Sequence, residues 1–323
     1  MSTIHICLCF DGNINKQALL TAFSVANASS DTVVAHFVCF EKEAQKFRLE
    51  LDALMARMHG RQVKFFIPEI HTVADDIVDA IPKHGWLPKA ACLRLFLASI
   101  LPIEIQRVIY LDCDILVAAD LGELYRMDLH GCPIAAVQDE RMRPFFCVEI
   151  GLDARHYFNS GMLIIDLAQW DEPARRALDL FVENGAAYPC LDQDVLNIVF
   201  KDNWLELETR WNTTTNLHPF ASRWFELVWP DGWKNENFPP AVYHLTPAKP
   251  WVLCCPSRVR FTYRRLAREL FEGGIPINRA APFVFMALSW MPRPFYRMAF
   301  WLRDTQLAFK HVIGRARIRP FRK

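Results

Sequence analysis

The chain lacks both standard glycine-rich phosphate loops. Neither G-x-G-x-x-G nor G-x-x-x-x-G-K-[ST] occurs in its 323 residues, which disfavours a dinucleotide-binding or P-loop reading. No C-x-x-C pair or His-Cys cluster has zinc spacing, although there are ten cysteines. They are scattered, mostly in apolar runs, and read as reduced, buried thiols of a cytosolic protein. No stretch of 18 residues is apolar without a charge or a proline, so no spanning helix is expected. The N-terminus has no basic stretch and no small-residue cleavage site, so no signal peptide is expected. Internal repeats and low-complexity segments are missing too.

What is present is globular: 52% hydrophobic and 23% charged residues, in a length that allows one large domain or two ordinary ones. The net charge of +1 hides an asymmetry. Residues 293–323 carry nine Lys or Arg against Asp304 alone, a local +8, and the rest of the chain sums to −7.

The first two-thirds alternate between periods of two and 3.6. Strands are expected at 4–10, 33–40 and 63–67, and helices at 16–28 and after residue 40. In that second helix Phe47, Leu51, Leu54, Met55 and Met58 share a face, and Gly60 stops it. A helix over 90–100, strands at 134–137 and 162–167, and helices at 171–184 and 192–200 follow. The βαβα order predicts an α/β fold, with helices on both faces of a parallel sheet.

Asp112-Cys113-Asp114 interrupts the apolar run from Val108 to Val117. Two carboxylates are costly to bury there unless something pairs with them. On a strand, residues i and i+2 face the same side. Asp112 and Asp114 are therefore candidate ligands for one cation at the strand end where α/β folds place ligands. Hard oxygens suit Mg²⁺ or Mn²⁺. Read alone, the triplet also fits a carboxylate capping a loop.

Four further segments carry polar groups at element ends. Asp11-Gly12-Asn13 follows the first strand, where a carboxylate can hold a base or ribose, or make an ordinary Asx turn. Tyr157-Phe158-Asn159-Ser160-Gly161 reads as a polar turn feeding a buried strand. Asp192-Gln193-Asp194 opens a helix, with Asp192 as a candidate N-cap. Tyr243-His244 and Lys249-Pro250-Trp251 place a potential imidazole ligand five residues before a lysine. An imidazole would tilt metal preference toward Mn²⁺, and the lysine could meet a diphosphate as a point charge.

In this order, downstream of a D-x-D, the segments YFNSGMLIIDL, LDQDVLN and H-x-x-x-x-K-P-W resemble family 8 glycosyltransferases, over roughly residues 1–256. These include bacterial lipopolysaccharide galactosyl- and glucosyltransferases. The resemblance implies a GT-A fold, with a Rossmann-like, mostly parallel mixed sheet. It also implies a UDP-sugar donor, a divalent cation (Mn²⁺ favoured, Mg²⁺ possible) and transfer with retention. Residue by residue, it makes Asp112, Asp114 and His244 metal ligands, and Asp11 and Asn13 uracil and ribose contacts. Arg94, Asn159, Asp192 and Gln193 become donor-sugar contacts, Lys249 the diphosphate clamp and Asp139 an acceptor-binding carboxylate. Two departures stand out. His244 and Lys249 are one residue closer than is usual in the family, with Pro247 in place of a glycine nearby, and Ile14 stands where an aromatic commonly stacks on uracil.

The expected division is a catalytic domain over 1–256 and a helical segment over 257–323. Residues 282–323 combine aromatics with nine basic groups, the build of an interfacial helix on an anionic membrane. The implied partners are a UDP-sugar and a glycan or glycolipid such as lipopolysaccharide core. The implied place is the cytoplasmic face of the inner membrane, and nucleic acid is not expected as a partner. Two other classes were open. A nucleotidyltransferase would show a basic Gly-rich segment after the first strand, unlike Asp11-Gly12-Asn13-Ile14-Asn15. A catalytically inactive membrane-bound module would not need the intact Asp pair, His244 and Lys249.

Overall fold

The computed structural model describes residues 2–58, 66–74, 89–139, 142, 147–148, 150–184, 188, 190–214, 240–246, 249–253, 255 and 259–278. The expected membrane segment over 282–323, the strand start at 63–65, Gly60, Pro247 and Cys254 lie outside these residues.

β1 (Thr3–Cys9), α1 (Asn15–Ala28), β2 (Thr32–Phe40), α2 (Glu41–Met58) and β3 (Phe66–Val73) form the first half. A 3₁₀ turn over Lys89–Phe96 leads into the short α3 (Leu97–Ile100) and then β4 (Arg107–Leu111). β1 lies between β2 and β4 and is parallel to both. After β4 come β5 (Ile115–Val117), α4 (Gly122–Arg126), β6 (Ile134–Gln138) and β7 (Phe158–Asp166). Next are α5 (Asp171–Asn184), α6 (Asp192–Val199) and β8 (Leu205–Leu207). The main sheet has seven strands in the order β3-β2-β1-β4-β7-β6-β8. β7 is antiparallel to β4 and β6, so the sheet is mixed, as a GT-A fold implies.

The alternation along β1 sorts two cores. Ile4, Ile6 and Leu8 pack with α1 and α2, whereas Cys7 and Cys9 face the side covered by α5 and α6. A second sheet, ordered β5-β10-β9, joins β9 (Thr213–Thr214) and β10 (Val242–His244) to β5. α7 (Val259–Leu270) sends Tyr263, Ala267 and Leu270 into the first core. No helix among the described residues is long and apolar enough to cross a membrane. Cysteines 7, 9, 39, 92, 113, 132 and 147 are free thiols.

Several local expectations need correction. Asp112 and Asp114 sit in the turn between β4 and β5, not on a strand. Asn159 and Ser160 lie inside β7, which begins at Phe158 instead of at residue 162. The stretch expected as one helix over 90–100 opens as a 3₁₀ turn. There the Trp170 indole N–H donates to the Arg94 carbonyl at 3.1 Å, capturing a group that an α-helix would use itself. Met55 is 40% exposed, because the buried stripe of α2 runs through Ala44, Phe47, Leu51, Leu54 and Met58. Asp192 is not an N-cap. Leu191 holds that position without a side-chain cap, at φ 54°.

Candidate active site

Asp112 leaves the carboxyl end of β4 still tied to the sheet, its N–H donating to the Gly161 carbonyl at 2.8 Å. Thr21 of α1 donates its hydroxyl to the Ile115 carbonyl at 2.8 Å, fixing the turn from below. Asp114 then faces His244, because Ile115 and His244 are register partners and Leu245 N–H donates to the Asp114 carbonyl at 2.9 Å. Two sheets therefore meet at one cluster. His244 Nε2 is 3.4 Å from Asp114 Oδ1 and 3.8 Å from Asp112 Oδ2.

The orientation of that imidazole is set from a distance. Asp139 is buried, and its Oδ2 accepts from the amides of Asn159 and Gln193. Asn159 turns its NH₂ to Asp139 Oδ2, at 3.0 Å. Its carbonyl oxygen accepts from Asn212 Nδ2 at 2.8 Å, which leaves Asn212 Oδ1 facing His244 Nδ1 at 3.0 Å. Nδ1 faces an acceptor oxygen, and Nε2 points at two carboxylate oxygens. A cation standing between the ring and the two carboxylates would join all three groups. Asp112, Asp114 and His244 offer three ligand atoms within 4.8 Å of one another, and two carboxylates with one imidazole fit a divalent ion of the Mn²⁺ type.

Positive charge already approaches from two sides. The Lys249 ammonium pairs with Asp114 Oδ2. Burial favours the neutral form of the Asp114 carboxyl, but Lys249 and His244 outweigh it and hold the group well below the usual carboxylate range. Arg94, itself buried, donates to Asp112 Oδ1 at 2.9 Å and to the Ser160 carbonyl at 2.8 Å, and stacks on the Tyr110 ring. The Tyr110 hydroxyl donates to the same Asp112 oxygen at 2.9 Å.

Asp192 lies 3.3 Å from Arg94 Nε, yet its Oδ2 is buried with no aligned hydrogen bond. Burial raises its carboxyl above the usual range despite the arginine. Gln193 is held by Ser160 N–H at 3.0 Å and Asn159 Nδ2 at 3.2 Å, and donates to Asp139 Oδ2 at 3.3 Å. Arg94, Asp112, Asp114, Asp139, Asn159, Asp192, Gln193, His244 and Lys249 thus form one continuous polar cluster. Asp11 and Asn13 stand apart at the end of β1, in an Asx turn closed by Asn13 N–H to Asp11 Oδ1 at 2.9 Å.

Asn212 and Tyr110 escaped the sequence reading, and so did the role of Gly161. A Cβ on Gly161 would lie 2.2 Å from His244 Cε1 and 2.9 Å from Asp112 Oδ2, so the ligands close directly over that residue. Asn212 has no sequence signal beyond its position just before β9. Asn212→Ala should raise the metal concentration needed for half-maximal activity by about 10–100-fold, with little change in saturated turnover. A metal titration checks this; an unchanged requirement would mean that His244 is not oriented through Asn212.

Residues 5–253 match the model of glycosyl transferase family 8. GlyF of Streptococcus pneumoniae serotype 4, a glycosyltransferase, is 32% identical over 264 residues, 78% of this chain and 62% of that protein. General stress protein A of Bacillus subtilis is 30% identical over 206 residues, 60% of this chain and 71% of its own length. The lipopolysaccharide 1,2-glucosyltransferase of Escherichia coli is 28% identical over 149 residues, 45% of this chain and 44% of that enzyme. Among solved structures, the galactosyltransferase LgtC in complex with donor and acceptor sugar analogs shares the fold. Its TM-score is 0.67 at 24% identity, covering 88% of this chain and 99% of that one.

Proposed function

Because the chain belongs to glycosyl transferase family 8, we propose that it moves a hexose, galactose or glucose, from a UDP-sugar to a glycan hydroxyl with retention. The observation that carries this reading is the convergence of His244 Nε2 on the Asp112 and Asp114 carboxylates at the end of the sheet. A divalent cation held there, Mn²⁺ before Mg²⁺, would neutralise the diphosphate as it departs.

The chain's own residues supply the rest. Lys249 clamps the diphosphate, in a site where low dielectric strengthens its charge. Asp192 Oδ2, buried without an aligned partner, accepts from a donor-sugar hydroxyl. Arg94 keeps Asp192 and Asp112 apart, and Asn159 and Gln193 hold the sugar face. The acceptor oxygen bonds to the anomeric carbon from the side that UDP leaves. The carbon–phosphate oxygen bond breaks, and the acceptor proton passes to the departing phosphate. Asp11 and Asn13 hold uracil and ribose, and Asp139 reaches the acceptor through the side chains it orients. An acceptor in lipopolysaccharide core, met at the cytoplasmic face of the inner membrane through residues 282–323, belongs to the same reading.

The test is UDP release from a panel of UDP-hexoses with Mn²⁺ and with EDTA. One UDP-hexose should be hydrolysed at least tenfold faster than the others, and EDTA should abolish release. Metal-independent release, or none from any donor, would sink the proposal.

A further inference from the structure

A second cluster of metal-binding side chains lies toward the β3 edge of the main sheet, separated from β4 and its Asp pair by β1. Glu69 and His71 are two residues apart on β3 and share a face, and His36 of β2 is the register partner of Glu69. His36 Nδ1 is 3.0 Å from His71 Nε2 and 3.2 Å from Glu69 Oε2, and His71 Nε2 is 3.8 Å from that same oxygen. A tetrahedral ion with bonds of about 2.0–2.1 Å needs ligand atoms about 3.3 Å apart. The three spacings bracket that value.

We propose that His36, Glu69 and His71 form a second metal site, selective for a zinc-like divalent ion and distinct from the site at Asp112. Two imidazoles with one carboxylate are a borderline-soft donor set, unlike the two carboxylates and one imidazole at Asp112. The fourth position opens to solvent, since the Glu69 side chain is 43% exposed and that of His71 is 16% exposed. Behind the site, His36 Nε2 meets His5 Nδ1 at 3.0 Å. With Nδ1 on the metal, Nε2 holds the ring proton and donates it to His5, the outer partner that fixes a ligating histidine.

The protonation states suit the role. Burial, with His71 and His5 adding to it, pulls the His36 imidazole down to about 3, and burial also lowers His5 and His71. All three rings are neutral at neutral pH and have lone pairs to offer. All three ligands stand on paired strands, so binding orders no loop. It pins the edge strand β3 to β2.

The test is Co²⁺ titration of the full, tag-free chain, followed by visible absorption, which is strong for tetrahedral and weak for octahedral cobalt. The wild type should gain a strong band that Zn²⁺ removes, and Zn²⁺ should raise the melting temperature by about 5 °C. Both effects should persist in His244→Ala. They should vanish in His71→Gln, and Glu69→Gln should weaken Co²⁺ binding about tenfold or more. His36 is fully buried, so it is left intact. Should His71→Gln not fold, Glu69→Gln at an exposed position decides alone. Absence of the band in the wild type, or its survival in Glu69→Gln at unchanged affinity, overturns the proposal.

Discussion

Asp114→Asn should lower sugar transfer by about 10³-fold and Asp112→Asn by about 10²-fold or more, with native secondary structure kept in both. Each removes a carboxylate that His244 Nε2 faces. Asp114 is the more damaging because it is buried and lies nearer to His244 Nε2, at 3.4 Å against 3.8 Å for Asp112. Turnover at saturating Mn²⁺ and donor is the measurement, and wild-type turnover in either variant would remove the metal-site reading. Two carboxylates in an apolar run would by themselves leave the metal-free Asn variants as stable as the wild type, or slightly more so. The Lys249 pair reverses that for Asp114. A carboxyl held below its ordinary pKa contributes stability above the unfolded value of about 3.9, and that contribution fades as pH falls below it. Metal-free Asp114→Asn should therefore be about 2 kcal/mol less stable at neutral pH, with the gap closing in acid.

Gly161→Ala should be nearly as severe, although it removes no functional group. The added methyl would lie 2.2 Å from His244 Cε1 and 2.8 Å from Nδ1, so the imidazole must move. Displacing a ligand by about 1 Å costs on the order of 10²-fold in rate. Activity should fall by that factor while circular dichroism stays native, and the Mn²⁺ requirement should rise in parallel. Normal metal affinity with lost activity would place the damage on the sugar contacts instead.

Much of the architecture was legible because period and punctuation are local. The alternation of Ile4, Ile6 and Leu8 against Cys7 and Cys9 marks a strand covered on both faces, and α5 begins and ends where the polar-to-apolar pattern puts it. The Asp pair and His244 were legible as residue types. What escaped depends on which strands become neighbours. The link from Asn159 to Asn212 joins β7 to a turn 53 residues away. His36 meets Glu69 only because β2 and β3 pair in that register. No spacing rule encodes either. The strand argument expected Asp112 and Asp114 to share a side, and the structure brings both toward His244 by a different route. The pair converges through a turn pinned by Thr21, not through the pleat.

The contact between Lys249 and Asp114 has a thermodynamic consequence. One ammonium cannot neutralise both a carboxylate and a phosphate at full strength. On the proposed function, a divalent ion that takes Asp114 would set the lysine free for the donor's diphosphate. Each ligand would thereby remove a cost that the other meets, and metal and nucleotide sugar would bind with positive, reciprocal coupling. Lys249 and Asp114 neutralise each other in the resting protein, which on the proposed function would become receptive to an anionic donor once a competing cation has arrived.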